Sequence, residues 1–96
     1  MGAREFTTTA SGATASEAFK NAVEDALYLY GHGGYTGSIA EKTSFVMINK
    51  PEDKDWRSFI EELFDKNDRR IMDKWGDAGC IKIEDGRYCF FGLASE

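Results

Sequence analysis

The residues best equipped for chemistry lie at Gly31-His32-Gly33-Gly34-Tyr35-Thr36-Gly37. Four glycines in seven positions let backbone approach a ligand closely, and His32, Tyr35 and Thr36 bring an imidazole and two hydroxyls to the same place. A small-ligand or nucleotide site on His32, Gly33, Gly34, Tyr35 and Thr36 is one expectation this stretch raises. Loops that cradle phosphates place their glycines after a strand and before a helix, where the positive helix end meets the anion. Here the glycines follow a helical segment, which is the wrong geometry for such a loop. The plain alternative is a glycine C-cap leading into a helix-to-strand turn. No Ser, Cys or carboxylate stands at a diagnostic spacing from His32, so no catalytic residue is assigned and an enzyme ranks third among the readings.

A second cluster, Asp65-Lys66-Asn67-Asp68-Arg69-Arg70, begins like a calcium loop, but Arg69 stands at position five, where a ligand belongs, and Arg70 where the glycine is required. No metal site is expected. Glu61, Glu62, Asp65 and Asp68, with Asp73, could instead present carboxylates to a cationic groove on a partner. Residues 52–77 hold nine acids interleaved with six bases, which favours a solvated, salt-bridged surface. Cys80 and Cys89 are too few for a disulfide scaffold and lack the spacing of a zinc or redox pair, so reduced thiols are expected.

The elements that must position these groups follow from periodicity. Residues 4–9 read as a strand, compatible with an edge position, although its place in the sheet is not set by the sequence. Thr14-Ala15-Ser16-Glu17 fits a capping box opening a helix over 14–30, whose Phe19, Ala22, Val23, Ala26, Leu27 and Tyr30 form one apolar stripe. Residues 38–41 and 44–49 are expected to pair as a hairpin around Lys42-Thr43, with Phe45-Val46-Met47-Ile48 a central strand buried on both faces. Trp56, Phe59, Ile60, Leu63 and Phe64 mark a second helix to about residue 65. A short helical turn over 69–75 would follow, with Ile71, Met72 and Trp75 inward. Ile81 to Glu84 and Arg87 to Phe91 then flank Asp85-Gly86, a two-residue hairpin signal that predicts a type I′ turn. In that register Ile83 pairs with Tyr88, Lys82 with Cys89, Ile81 with Phe90 and Cys80 with Phe91. The predicted fold is a single α+β domain over 1–96: a two-layer sandwich in β-α-β-β-α-β-β order, with a largely antiparallel sheet and two helices on one face.

This register leaves Cys89, Phe91 and Leu93 on the outer hairpin face, apolar where water is expected. They are therefore candidates for a partner or homodimer interface, and cover by a helix or by the C-terminal tail is the alternative. On the interface reading Phe91→Asp weakens assembly and leaves the monomer folded.

The 96 residues suffice for one packed domain, and with 17 acids against 12 bases the net charge is −5. That balance lacks the cationic footprint that direct nucleic-acid binding requires. No wholly apolar run, residues 45–48 included, is long enough to cross a bilayer. The N-terminus lacks the apolar stretch of a signal peptide, so the cytoplasm is the expected compartment and no membrane partner is expected.

The stretch Gly31-His32-Gly33-Gly34-Tyr35-Thr36-Gly37-Ser38-Ile39 is similar to one in small uncharacterised proteins carried by bacteriophages and other mobile elements, through a Gly-His-x-Gly-Tyr-x-Gly-x-Ile pattern. The resemblance implies no catalytic residues and no cofactor. It implies, by analogy of class, an inhibitor of host defence of the anti-CRISPR kind, which binds a host protein or protein–nucleic acid complex. The first expectation is thus an acidic, non-enzymatic binding protein acting by protein–protein contact. The second is a signal-sequestering oligomer that binds a nucleotide or small ligand at loop 31–37.

Overall fold

The computed structural model describes residues 2–30 and 38–95. The chain runs β1 (Ala3–Ser11), α1 (Ala15–Tyr30), a 3-10 turn (Ile39–Glu41), β2 (Phe45–Met47), α2 (Trp56–Asp65), β3 (Ala78–Glu84) and β4 (Arg87–Ser95). The four strands form one sheet in the order β1-β4-β3-β2. β4 lies antiparallel to both β1 and β3, and β2 lies parallel to β3. The α+β class and the largely antiparallel sheet are as the sequence predicts.

Both helices begin where side-chain oxygens satisfy orphan amides. Thr14 Oγ1 accepts from Glu17 N at 3.2 Å, and Asp55 Oδ2 accepts from Ser58 N at 3.4 Å. Parallel strands need a crossover between them, and α2 supplies it between β2 and β3.

The two helices do not share a face. Ala18, Ala22 and Ala26 of α1 pack with Phe6, Cys80, Tyr88, Phe90 and Ala94, whereas Ile60 and Leu63 of α2 pack with Ile81, Cys89 and Phe91. Successive strand residues point to opposite faces, so consecutive residues such as Phe90 and Phe91 belong to opposite cores. The sheet is sandwiched between the helices, giving three layers where two were predicted. Phe19, Phe45 and Phe90 cluster in tilted and edge-to-face contacts on the α1 side, with centroids 5.2 to 5.6 Å apart. Phe64 meets Phe91 edge-on at 6.4 Å on the α2 side.

The predicted hairpin register is off by one residue. Gly86 takes φ 78, but Asn67 is the only non-glycine at positive φ among the described residues, so Asp85 does not make the type I′ turn. Glu84 still pairs with Arg87, but a bulge at Ile83 then sets Lys82 against Tyr88, Ile81 against Cys89 and Cys80 against Phe90. Cys80 and Cys89 consequently lie in different cores, and both are free thiols. Gly79, opposite Phe91, has no room for a side chain: a Cβ there would lie 2.7 Å from Ile71 Cγ2 and 2.8 Å from Phe91 Cε2.

Residues 38–41 also depart from expectation. Ser38 Oγ accepts from Ala40 N and caps the 3-10 turn, which lets Ile39 drop into the α1 core. Residues 45–47 are an edge strand rather than a central one, and Met47 is exposed. Residues 69–75 form turns, not a helix: Ile71 is buried and Met72 half-buried, but Trp75 is exposed.

Candidate functional site

His32, Gly33, Gly34, Tyr35 and Thr36 lie outside the described residues. The remaining sequence-based candidates fall into two groups. Cys89 and Phe91, predicted to lie on an outer face, are completely buried beneath α2, and Leu93 is half-buried. Cover by a helix is what the structure shows, so Cys89 and Phe91 cannot present a surface to a partner. Burial pushes both thiols up to about 12, which removes the thiolate needed for reactivity near neutral pH.

The acidic candidates lie on and just after α2. Glu62 pairs with Lys54 and with Lys66 at 2.6 Å, and these hydrogen bonds lower its carboxyl to about 2. Asp68 pairs with Arg70 at 2.7 Å, and its carboxyl is lowered mainly by that hydrogen bond. Asp65 is exposed, and Glu61 is exposed at the margin of a groove described below. Glu62 and Asp68 are thus matched by cations, in line with the salt-bridged surface that the interleaved charges favour.

β1 stands at an edge of the sheet, a position with which residues 4–9 are compatible by sequence, and its outer side is a feature to which the sequence assigns no role. This strand is nine residues long and pairs along its whole length with β4, from Ala3 opposite Ser95 to Ser11 opposite Arg87. No other strand pairs with its outer side among the described residues. In an antiparallel ladder alternate residues turn their N–H and C=O groups away from the neighbour, so the outer side carries a row of donors and acceptors. One member is already engaged: Asn21 Nδ2 donates to Ser11 O at 2.9 Å and closes the end of the row.

Two grooves open on this edge. The first, about 310 Å³, is lined by six successive residues of β1, Arg4 to Thr9, and by Ala22, Asp25, Ala26 and Leu29 of α1 with Ser38 and Ile39. A groove over one face of a strand touches alternate residues; one lined by successive residues reaches the backbone edge itself. The second, about 350 Å³, lies between Glu5 and Thr7 of β1 and Trp56, Arg57, Ile60, Glu61 and Phe64 of α2. An extended chain laid against β1 would therefore find backbone partners along its length and room for side chains on both faces.

The opposite edge is organised differently. Lys42, 4% exposed, donates through Nζ to the carbonyls of Asp73 (3.1 Å), Lys74 (3.4 Å) and Gly76 (2.9 Å). Burial lowers its pKa, and Asp73 and Asp77 oppose that shift. Ser44 Oγ bonds Asp77, and Ala78 N donates to Ser44 O, so loop 73–77 is pinned beside β2. A lysine reads as surface in any sequence pattern, and only the three carbonyls converging on it reveal this role.

Among the described residues no group of three or more His, Cys, Asp and Glu could hold a metal ion, and no helix is long and apolar enough to cross a membrane. No protein-family model, curated protein or solved structure matches the chain.

Proposed function

We propose that this chain is a non-enzymatic binding protein that acts by protein–protein contact, and that the contact is strand addition at β1. The observation that carries the reading is the groove lined by the six successive residues Arg4 to Thr9 along the outer edge of a nine-residue strand, an edge that pairs with no other strand among the described residues. In strand addition, main-chain hydrogen bonds supply affinity and flanking pockets select alternate side chains, and both parts are present here. A host-defence inhibitor would be one form of such a protein.

The test is nuclear magnetic resonance with a blocked, extended Thr-Val repeat peptide as probe. Binding should slow amide exchange at alternate residues of β1 and leave β2 unchanged. Perturbation centred on loop 31–37, with β1 unaffected, would favour the ligand-sequestering reading instead.

A further inference from the structure

We propose that the strand completing this edge is β1 of a second copy of the chain, antiparallel across a twofold axis, so that two four-stranded sheets continue into one. The inference rests on the strand-addition reading and names its partner.

Three features of β1 support a self-partner. A twofold axis through Thr7 sets Phe6 against Thr8, Glu5 against Thr9 and Arg4 against Ala10, so no charge meets its like directly across the seam. Thr7 then faces its own counterpart, and threonines paired across strands are favourable neighbours. This register also keeps α1 of both copies on one face of the joined sheet, because directly opposed residues share a face and Thr7 pairs with itself.

Edge strands that stay unpaired are usually protected by proline, lysine, a bulge or brevity. Residues 3–11, Ala-Arg-Glu-Phe-Thr-Thr-Thr-Ala-Ser, contain neither proline nor lysine, carry their two charges, Arg4 and Glu5, at the start, and run against β4 for nine residues without a register shift. The strand at the other end of the same sheet is only three residues long, and Lys50 and Pro51 follow it closely. Among the described residues the protein blunts one edge and leaves the other open, as a closed twofold assembly requires.

The test uses the intact chain. Thr7 is exposed in the isolated copy, so Thr7→Lys and Thr7→Glu should leave the monomer folded. Sedimentation over a range of concentrations should show a wild-type dimer. Each variant alone should dissociate tenfold or more readily, because like charges would then face each other across the axis. An equimolar mixture of the two should recover the dimer as a heterodimer, which loss of folding could not produce. If either variant melts early, Thr9→Glu and Thr9→Lys replace the pair with opposite expectations: facing Glu5 of the other copy, the first should loosen the dimer and the second should tighten it. A dimer indifferent to all four substitutions would overturn the proposal by placing self-association elsewhere. A wild type that stays monomeric would overturn it as well. In that case protection of β1 by the Thr-Val peptide would leave strand addition standing, and no protection would remove both readings.

Discussion

The two edges of this sheet are finished in opposite ways. At β2 three residues suffice, a buried lysine ties the neighbouring loop to the strand's entry, and Pro51 follows soon after. At β1 nine residues lie in continuous register, with grooves on either side, and among the described residues only the final carbonyl is capped, by Asn21. An unpaired edge is a liability unless something is meant to pair with it. Finding both treatments in one sheet argues that the open edge is a binding surface and not an accident of strand order.

The largest expected effect lies between the two edges, at the residue first read as interface. Phe91 is fully buried against Phe64 and Gly79. Phe91→Ala should cost about 3–5 kcal/mol of stability, and Phe91→Asp should unfold the monomer outright. Thermal melts would show this, and so would Cys80 and Cys89 turning reactive to an alkylating reagent that the folded protein resists. A folded Phe91→Asp monomer would restore the hairpin face as a surface and weaken the contrast between the edges.

Next in size is the pin at the closed edge. Lys42→Met removes three donated hydrogen bonds from partly buried carbonyls and should cost about 1–3 kcal/mol. Faster amide exchange confined to residues 73–78 and β2 would locate the loss. Dimerisation at β1 should be unaffected, which separates the two edges experimentally.

At the open edge the expected stability changes are small. Thr7→Lys should alter monomer stability by no more than about 0.5 kcal/mol, as for other surface substitutions, while changing assembly strongly. The smallest effect concerns Glu62. Its carboxyl is held at about 2, below the ordinary 4.5, so its contribution is present above the ordinary value and is lost as pH falls through the lowered one. Glu62→Gln should flatten that acid limb of the stability profile and leave neutral-pH assembly unchanged.

The helices were legible because their signals are local. Thr14 and Glu17 mark the start of α1, and the stripe from Trp56 to Phe64 outlines α2. Asp85-Gly86 placed the final hairpin turn, but the bulge at Ile83 moved the pairing of β3 and β4 by one residue, and a bulge leaves little trace in an alternation pattern. The helix layering failed for a different reason. Tyr88, Cys89, Phe90 and Phe91 form a continuous apolar run, which signals a strand buried on both faces. Reading that run as half surface led to an interface on Cys89 and Phe91 and to both helices on one side. The edge position of residues 4–9 was legible only as a possibility, because strand order is decided by non-local pairing: nothing within residues 3–11 announces that β4 will take one side and leave the other free. The signal that was available is negative, a long regular strand without proline or lysine.

The central claim is that β1 presents an unpaired edge which another strand completes. The most direct measurement is amide hydrogen exchange along β1 as a function of protein concentration, with β2 as internal reference. The account predicts that alternate β1 amides exchange quickly in dilute protein and become protected as concentration rises, in step with the mass, while β2 amides hold a constant rate. Uniform protection of β1 in protein dilute enough to be monomeric would contradict it, because the edge would then already be closed within a single chain.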